Sequence, residues 1–230
     1  MRQLFMTQDK LPHTGTASTS GVTFASGECL IDGTDTCSIV ATGLSPRIGW
    51  IAVCFRSGWA NAAEPEGGAG YPYALRWIAN GGNEDVTIAY QESDNTWIYQ
   101  RTAGGVGQNA FSAADTIASG DIVVLILKWD LVGNGLSIDG SSFTVNAAPL
   151  IPALTDATAL LIGHSGSNQQ IDSYYRHVLW GRGTLTDGDA ATIDNLLRNN
   201  HPNPAAVIPV SAMVCGYWAC GTPVYKRIAG

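Results

Sequence analysis

Charge is what this chain has least of. Only 13% of its 230 residues are Asp, Glu, Lys or Arg. The twelve Lys and Arg form no basic stripe, and the net charge is −7. Nucleic-acid binding needs a concentrated cationic footprint, so it is not expected. Long apolar runs are also missing. The greasiest stretch, Ile122–Trp129, is strand-sized and far short of the ~20 residues that span a bilayer, which argues against membrane insertion. The opening MRQLFMTQDK lacks the apolar segment of a secretory leader. A chain made in a cytosol, and kept there or released by lysis, is the expectation. Five cysteines, Cys29, Cys37, Cys54, Cys215 and Cys220, include no Cys-x-x-Cys and read as buried reduced thiols rather than a disulfide or zinc framework. The histidines, His13, His164, His177 and His201, fall at no metal-ligating spacing; His164 reads as a loop-edge residue.

What is abundant points to β structure. Twenty-seven glycines and seven tryptophans accompany a 45% hydrophobic content, as in a turn-rich all-β chain. Chains of this size remove roughly 70–75% of their unfolded surface on folding, enough for an apolar core without staples. Residues 1–20 are polar and aperiodic and read as an N-terminal arm. Strand-like runs then follow at Ser38–Gly43, Arg47–Gly58 and Tyr73–Gly81, the first two closed by glycine. Asp85–Ser93 places Val86, Ile88 and Tyr90 on one face, and Thr96–Thr102 follows a Ser-Asp-Asn turn, which predicts a hairpin. Gly104–Gly120 reads as a long irregular crossing. Asp121–Asp130 is apolar on both faces, as in a central strand covered on each side. Asp139-Gly140 joins two short strands within Leu136–Asn146, and Ala157–Ser165 and Asp172–Arg182 close the series. About ten short strands separated by turns predict a sandwich.

One helix interrupts the pattern. Thr186 is placed to cap it, with Asp189 three residues on and Leu185 and Ala190 spaced as a staple across the cap. Ala190, Ile193 and Leu197 then share a face, with Leu196 beside it. A helix of some twelve residues is not stable alone, so it is expected to lie on the open end or edge of the sandwich. The final segment, 201–230, has no clean period yet is rich in apolar residues, among them Met213, Tyr217, Trp218 and Tyr225. It reads as an extended C-terminal assembly arm that wraps its own sandwich or adds a strand to a neighbour.

The stretch Ala159–Leu197, with Ile162-Gly163, Val178 to Trp180, Arg182, Leu185-Thr186 and Ile193-Leu196-Leu197, resembles the closing signature of laminin-G-like, concanavalin A-like jelly rolls. Gly120–Gly140 is similar to the central strand, turn and hairpin of the same superfamily. The resemblance implies an all-β, two-sheet jelly-roll sandwich over residues 21–200, with one short helix near its C-terminal side. It is nearly silent on function, because the fold hosts lectins, hydrolases, lyases and assembly modules.

Candidate chemistry is sparse. Glycan hydrolysis on such a sandwich would need paired acids on one strand. The nearest match, Glu92-Ser93-Asp94, sits at a turn, and Trp97 stands where another Glu belongs. Calcium, which rims of this family often carry, has candidate ligands in Asp32-Gly33-Thr34-Asp35 and Glu84-Asp85. Both read as Asx turns for want of a third acid, and no cofactor is assigned. Sugar binding needs exposed aromatic platforms with polar neighbours. Trp59, Asn61, Tyr71 and Tyr73 flank a Gly-rich loop and supply them, whereas Trp77, Trp97 and Trp129 alternate into the core. Low charge, arms and no evident active site resemble a bacteriophage virion protein: a capsid decoration, head-fibre or tail component assembled in the host cytoplasm. The expectation is therefore a non-enzymatic subunit, held by its arms to other virion subunits, homo-oligomeric with a trimer as one form, and binding host-surface glycans. A polysaccharide-active enzyme using Glu92 or Asp94, or a stand-alone lectin, is the alternative.

Overall fold

A computed structural model describes residues 17–25, 27–32, 35–41, 43–45, 47–59, 72–79, 84–91, 94–147, 159–163, 171–199 and 213–219. Among these residues are fifteen strands and one helix. One sheet runs β1 (Ala17–Ser20), β4 (Thr36–Ile39), β13 (Ala159–Ile162), β6 (Tyr73–Ala79), β7 (Glu84–Gln91), β8 (Thr96–Ala103), β9 (Val106–Ala114) in spatial order. The other runs β12 (Thr144–Asn146), β11 (Asn134–Ile138), β10 (Ile122–Trp129), β5 (Gly49–Ser57), β14 (Ser173–Arg182), β3 (Glu28–Ile31), β2 (Thr23–Ala25), with β15 (Met213–Ala219) also paired to β14. Neighbouring strands are antiparallel in both sheets. The expected all-β, two-sheet sandwich with a single late helix is what forms.

Alternation explains the core. The inward residues of β7 and β8, Val86, Ile88, Tyr90, Trp97 and Tyr99, meet Ile51, Val53, Phe55, Leu125 and Tyr175 from the opposite sheet. Trp77 and Trp129 stack across the interior with centroids 5.6 Å apart. The hairpin predicted around Ser93-Asp94-Asn95 forms, with Gln91 opposite Thr96. Asp139-Gly140 turns as expected, at φ of 50° and 70°.

Three differences from the sequence reading have physical causes. The supposed crossing at Gly104–Gly120 begins with a tight Gly104-Gly105 turn at φ of 58° and 78°, then pairs as β9 along β8 from Val106 opposite Ala103. Two glycines that accept positive φ license this two-residue hairpin. The helix, α1 (Asp187–Arg198), does not close an end of the sandwich. It lies on the outer face of the eight-stranded sheet, where Ala190, Ile193 and Leu197 pack with Leu185 on Trp50, Ala52, Cys54, Val124, Ile126 and Leu179. Those strands are apolar on both faces, and uncovered they would expose that layer to water. Thr186 accepts from the Asp189 amide at 3.2 Å, while Asp189 Oδ2 accepts from the Thr186 amide at 2.7 Å, so the reciprocal cap forms as expected.

The third difference concerns the arms. Ala17–Ser20, inside the N-terminal arm, pairs with β4 of its own chain. Met213–Ala219, which includes Met213, Tyr217 and Trp218, pairs with His177–Arg182 of β14. Of the two outcomes left open for the C-terminal segment, own-body docking is the one adopted over these residues. Tyr225 lies outside the described residues.

Candidate functional site

The helix makes the two outer faces of the sandwich unequal. The eight-stranded sheet is capped by α1, whereas the outer face of the seven-stranded sheet carries an open depression of about 330 Å³. Its lining is Tyr73 from β6, Thr87, Ala89 and Gln91 from β7, Asp94 from the turn, Ile98 and Gln100 from β8, and Asn109 from β9. Strand alternation puts these together. Thr87, Ala89 and Gln91 alternate with the inward-facing Val86, Ile88 and Tyr90, and Ile98 and Gln100 stand opposite Ala89 and Thr87 in register.

The polar groups are held in pairs. Gln91 Nε2 donates to Asp94 Oδ2 at 2.6 Å, and Gln100 Nε2 donates to Asn109 Oδ1 at 3.0 Å. The turn that presents Asp94 is anchored from beneath. Tyr90 Oη donates to Asn95 Oδ1 at 3.3 Å, and the Asp115 amide donates to the Asn95 carbonyl at 2.6 Å. Tyr73, Ala89 and Ile98 add apolar surface between the amides. The arrangement suits a flat, hydroxylated ligand: an aromatic and aliphatic floor for C–H faces, with side-chain amides that both donate and accept.

Beside the depression, on the same face, Arg76 forks onto Asp85 Oδ2 through Nε at 3.0 Å and Nη2 at 2.8 Å. Asp85 is 8% exposed, and among the described residues its Oδ1 meets no hydrogen-bond donor. Burial pushes its carboxyl above the ordinary value, more than Arg76 pulls it down.

Of the sugar-platform residues expected from sequence, Tyr73 lines the depression. Trp59 does not: it is 4% exposed, packs on Tyr90 with centroids 4.8 Å apart, and its indole N–H donates to Ser173 Oγ at 3.3 Å. The exposed platform expected at Trp59 is thus corrected. Ser57 brackets the residue, its Oγ accepting from the Trp59 amide at 3.1 Å and donating to its carbonyl at 2.6 Å, which turns the indole inward before the Gly-rich loop begins. Asn61, Tyr71, Glu92 and His164 lie outside the described residues. Thr87, Gln91, Gln100 and Asn109 were overlooked, although the first three are the outward complement of the apolar stripe already visible in the hairpin.

Asp32 and Asp35 are joined by a main-chain bond, not by the Asp32 side chain of an Asx turn: the Asp35 amide donates to the Asp32 carbonyl at 2.8 Å, and Asp35 Oδ2 accepts from the Asp32 amide at 3.3 Å. Burial and then the charges of Asp35 and Asp172 raise the Asp32 carboxyl above its ordinary value. Among the described residues no group of three or more His, Cys, Asp or Glu is placed to hold a metal ion.

No protein-family model matches the chain, and no curated protein sequence does. Solved structures do. Domain 4 of an extracellular arabinanase from Geobacillus stearothermophilus, in complex with arabinotriose, superposes with a TM-score of 0.62 at 11% identity, covering 80% of this chain and 89% of that one. A Trypanosoma rangeli sialidase, captured as a covalent intermediate, gives 0.59 at 10% identity over 80% of this chain, which spans only 30% of the sialidase. A heptameric pentraxin from Limulus polyphemus gives 0.50 at 11% identity, over 68% of this chain and 75% of that one. The fold is the concanavalin A-like sandwich. One expectation is corrected by these neighbours. An inert, non-enzymatic scaffold was inferred from the lack of an evident active site, yet the same sandwich is found here within an arabinanase and a sialidase, so the fold gives no ground for setting enzymatic work aside.

Proposed function

We propose that this chain is a polysaccharide-active protein that holds an oligosaccharide on the outer face of its seven-stranded sheet. The observation that carries the reading is the depression between Tyr73 and Asn109, with its two pre-paired amide clusters above an apolar floor. Tyr73 offers its ring to one sugar face, while Gln100, Asn109 and Gln91 meet the ring hydroxyls. Side chains already held in place lose little rotamer freedom on binding, which favours a shallow site. Acid–base hydrolysis would take two carboxyls. Asp94 is the one in the described lining, and Glu92 is the second that the sequence supplies. The arabinotriose complex of the arabinanase domain supports a glycan ligand for this fold. Display on a virion among other subunits belongs to the same proposal and rests on sequence character.

The test is a panel of soluble oligosaccharides, titrated by calorimetry and followed by chromatography for released products. Binding to at least one member is expected, with Gln100→Ala and Tyr73→Ala each weakening it at least about tenfold, the scale of one hydrogen bond or one stacked ring. If no member binds or is cleaved, or if both variants bind like the parent, the proposal fails.

A further inference from the structure

We infer that the depression selects neutral sugars and rejects anionic ones, with Asp94 as the residue that sets this preference; the inference rests on the glycan-binding reading above. Among the described lining residues the one charged side chain is Asp94, which is exposed, and none is Lys, Arg or His. Gln91 Nε2 holds the Asp94 carboxylate at 2.6 Å, and the anchored Asn95 backbone fixes the turn that carries it. A sugar carboxylate entering the depression would therefore meet a fixed negative charge.

Among the described residues, the guanidinium beside the depression is already committed. Arg76 stands opposite Thr87 of the lining, but its guanidinium is forked onto Asp85. Drawing Arg76 toward an acidic sugar would strip a buried carboxylate of the guanidinium hydrogen-bonded to it, which is costly. The wider field points the same way, since the whole chain carries −7 and repels anions at low salt. A neutral pentose or hexose unit meets none of these penalties, and its hydroxyls are served by Gln100, Asn109 and Thr87.

The experiment compares two probes of equal length, arabinotriose and tri-galacturonate, titrated against the full chain at low and high salt. Wild type is expected to bind the neutral trisaccharide at least tenfold more tightly in low salt, with the gap narrowing as salt screens Asp94. Asp94→Asn keeps a side-chain oxygen for Gln91 and should narrow the low-salt gap at least threefold, chiefly by improving the acidic probe. Equal or tighter binding of tri-galacturonate by wild type, or an unchanged gap in Asp94→Asn, overturns the inference while leaving glycan binding intact. If neither probe binds while another neutral glycan of the wider panel does, its uronic-acid counterpart replaces tri-galacturonate and the same criteria decide. If no glycan of any kind binds, the binding reading itself falls and the selectivity falls with it.

Discussion

Replacing Glu28 with alanine should cost about 2–3 kcal/mol of folding stability, and the loss should depend on pH. Glu28 on β3 is gripped by two guanidiniums from two other strands. Arg56 on β5 donates through Nη2 at 2.6 Å and through Nε at 3.1–3.2 Å, and Arg176 on β14 donates through Nε at 2.8 Å and Nη2 at 2.7 Å. Arg56 also lies over the Tyr174 ring, 3.8 Å from its centroid. Truncating one partner of a buried ion pair costs about 3–5 kcal/mol. Here the guanidinium side chains keep 31% and 21% of their exposure, so water relieves part of the penalty and about 2–3 kcal/mol remains. Burial alone would raise the Glu28 carboxyl, but the two arginines outweigh it and hold the group below its ordinary value. A carboxyl depressed in the folded state stabilises fully above its unfolded pKa, and that contribution fades as pH falls through the folded one. Wild type and Glu28→Ala should therefore differ most at neutral pH, begin to converge as pH falls below the unfolded glutamate value of about 4.3, and meet only below the lower, folded-state value. Urea unfolding followed by tryptophan fluorescence at several pH values measures this. A difference below 0.5 kcal/mol at pH 7, or one that grows with acidification, would refute the assignment.

Two further outcomes follow from the same structure. Ile193→Ala removes a fully buried contact between α1 and the outer sheet face and should cost about 2–5 kcal/mol in chemical denaturation; a loss under 1 kcal/mol would mean the helix is not seated there. Cys29, Cys37 and Cys54 are buried, reduced thiols, and burial pushes Cys54 up to about 12. A thiol reagent at pH 8 should leave these three unmodified in the native protein and label them after denaturation, read by peptide mass; native labelling of any of them would contradict the core packing.

Much of the fold was legible because alternation and capping are local. Val86, Ile88 and Tyr90 mark one face of β7 without reference to any other strand, and Thr186 with Asp189 marks a helix start in four residues. What escaped depends on distance. Trp59 follows a glycine and precedes a Gly-rich loop, which reads as exposed, but its indole is claimed by Ser173, 114 positions later. β9 has small and polar residues in place of a clean alternation, and its partner β8 is what makes it a strand. The destination of Met213–Ala219 likewise depends on the length of β14 left unpaired by the short β3. The site was half visible. Tyr73 is legible from its chemistry beside a Gly-rich loop, whereas Gln91 and Gln100 lie on the outward side of the hairpin, where no apolar stripe marks them.

The position of β14 has a consequence for synthesis. It lies between β5 and β3 in the finished sheet, yet leaves the ribosome long after both. At roughly 5–20 residues per second, the stretch from Ser57 to Arg182 takes on the order of 6–25 s to appear. Throughout that interval β5, greasy on both sides, has one flank with no strand beside it and no helix to shield its back. A nascent chain in that condition is a natural client for a holdase, and slowing translation downstream of β5 should lengthen the time during which it aggregates.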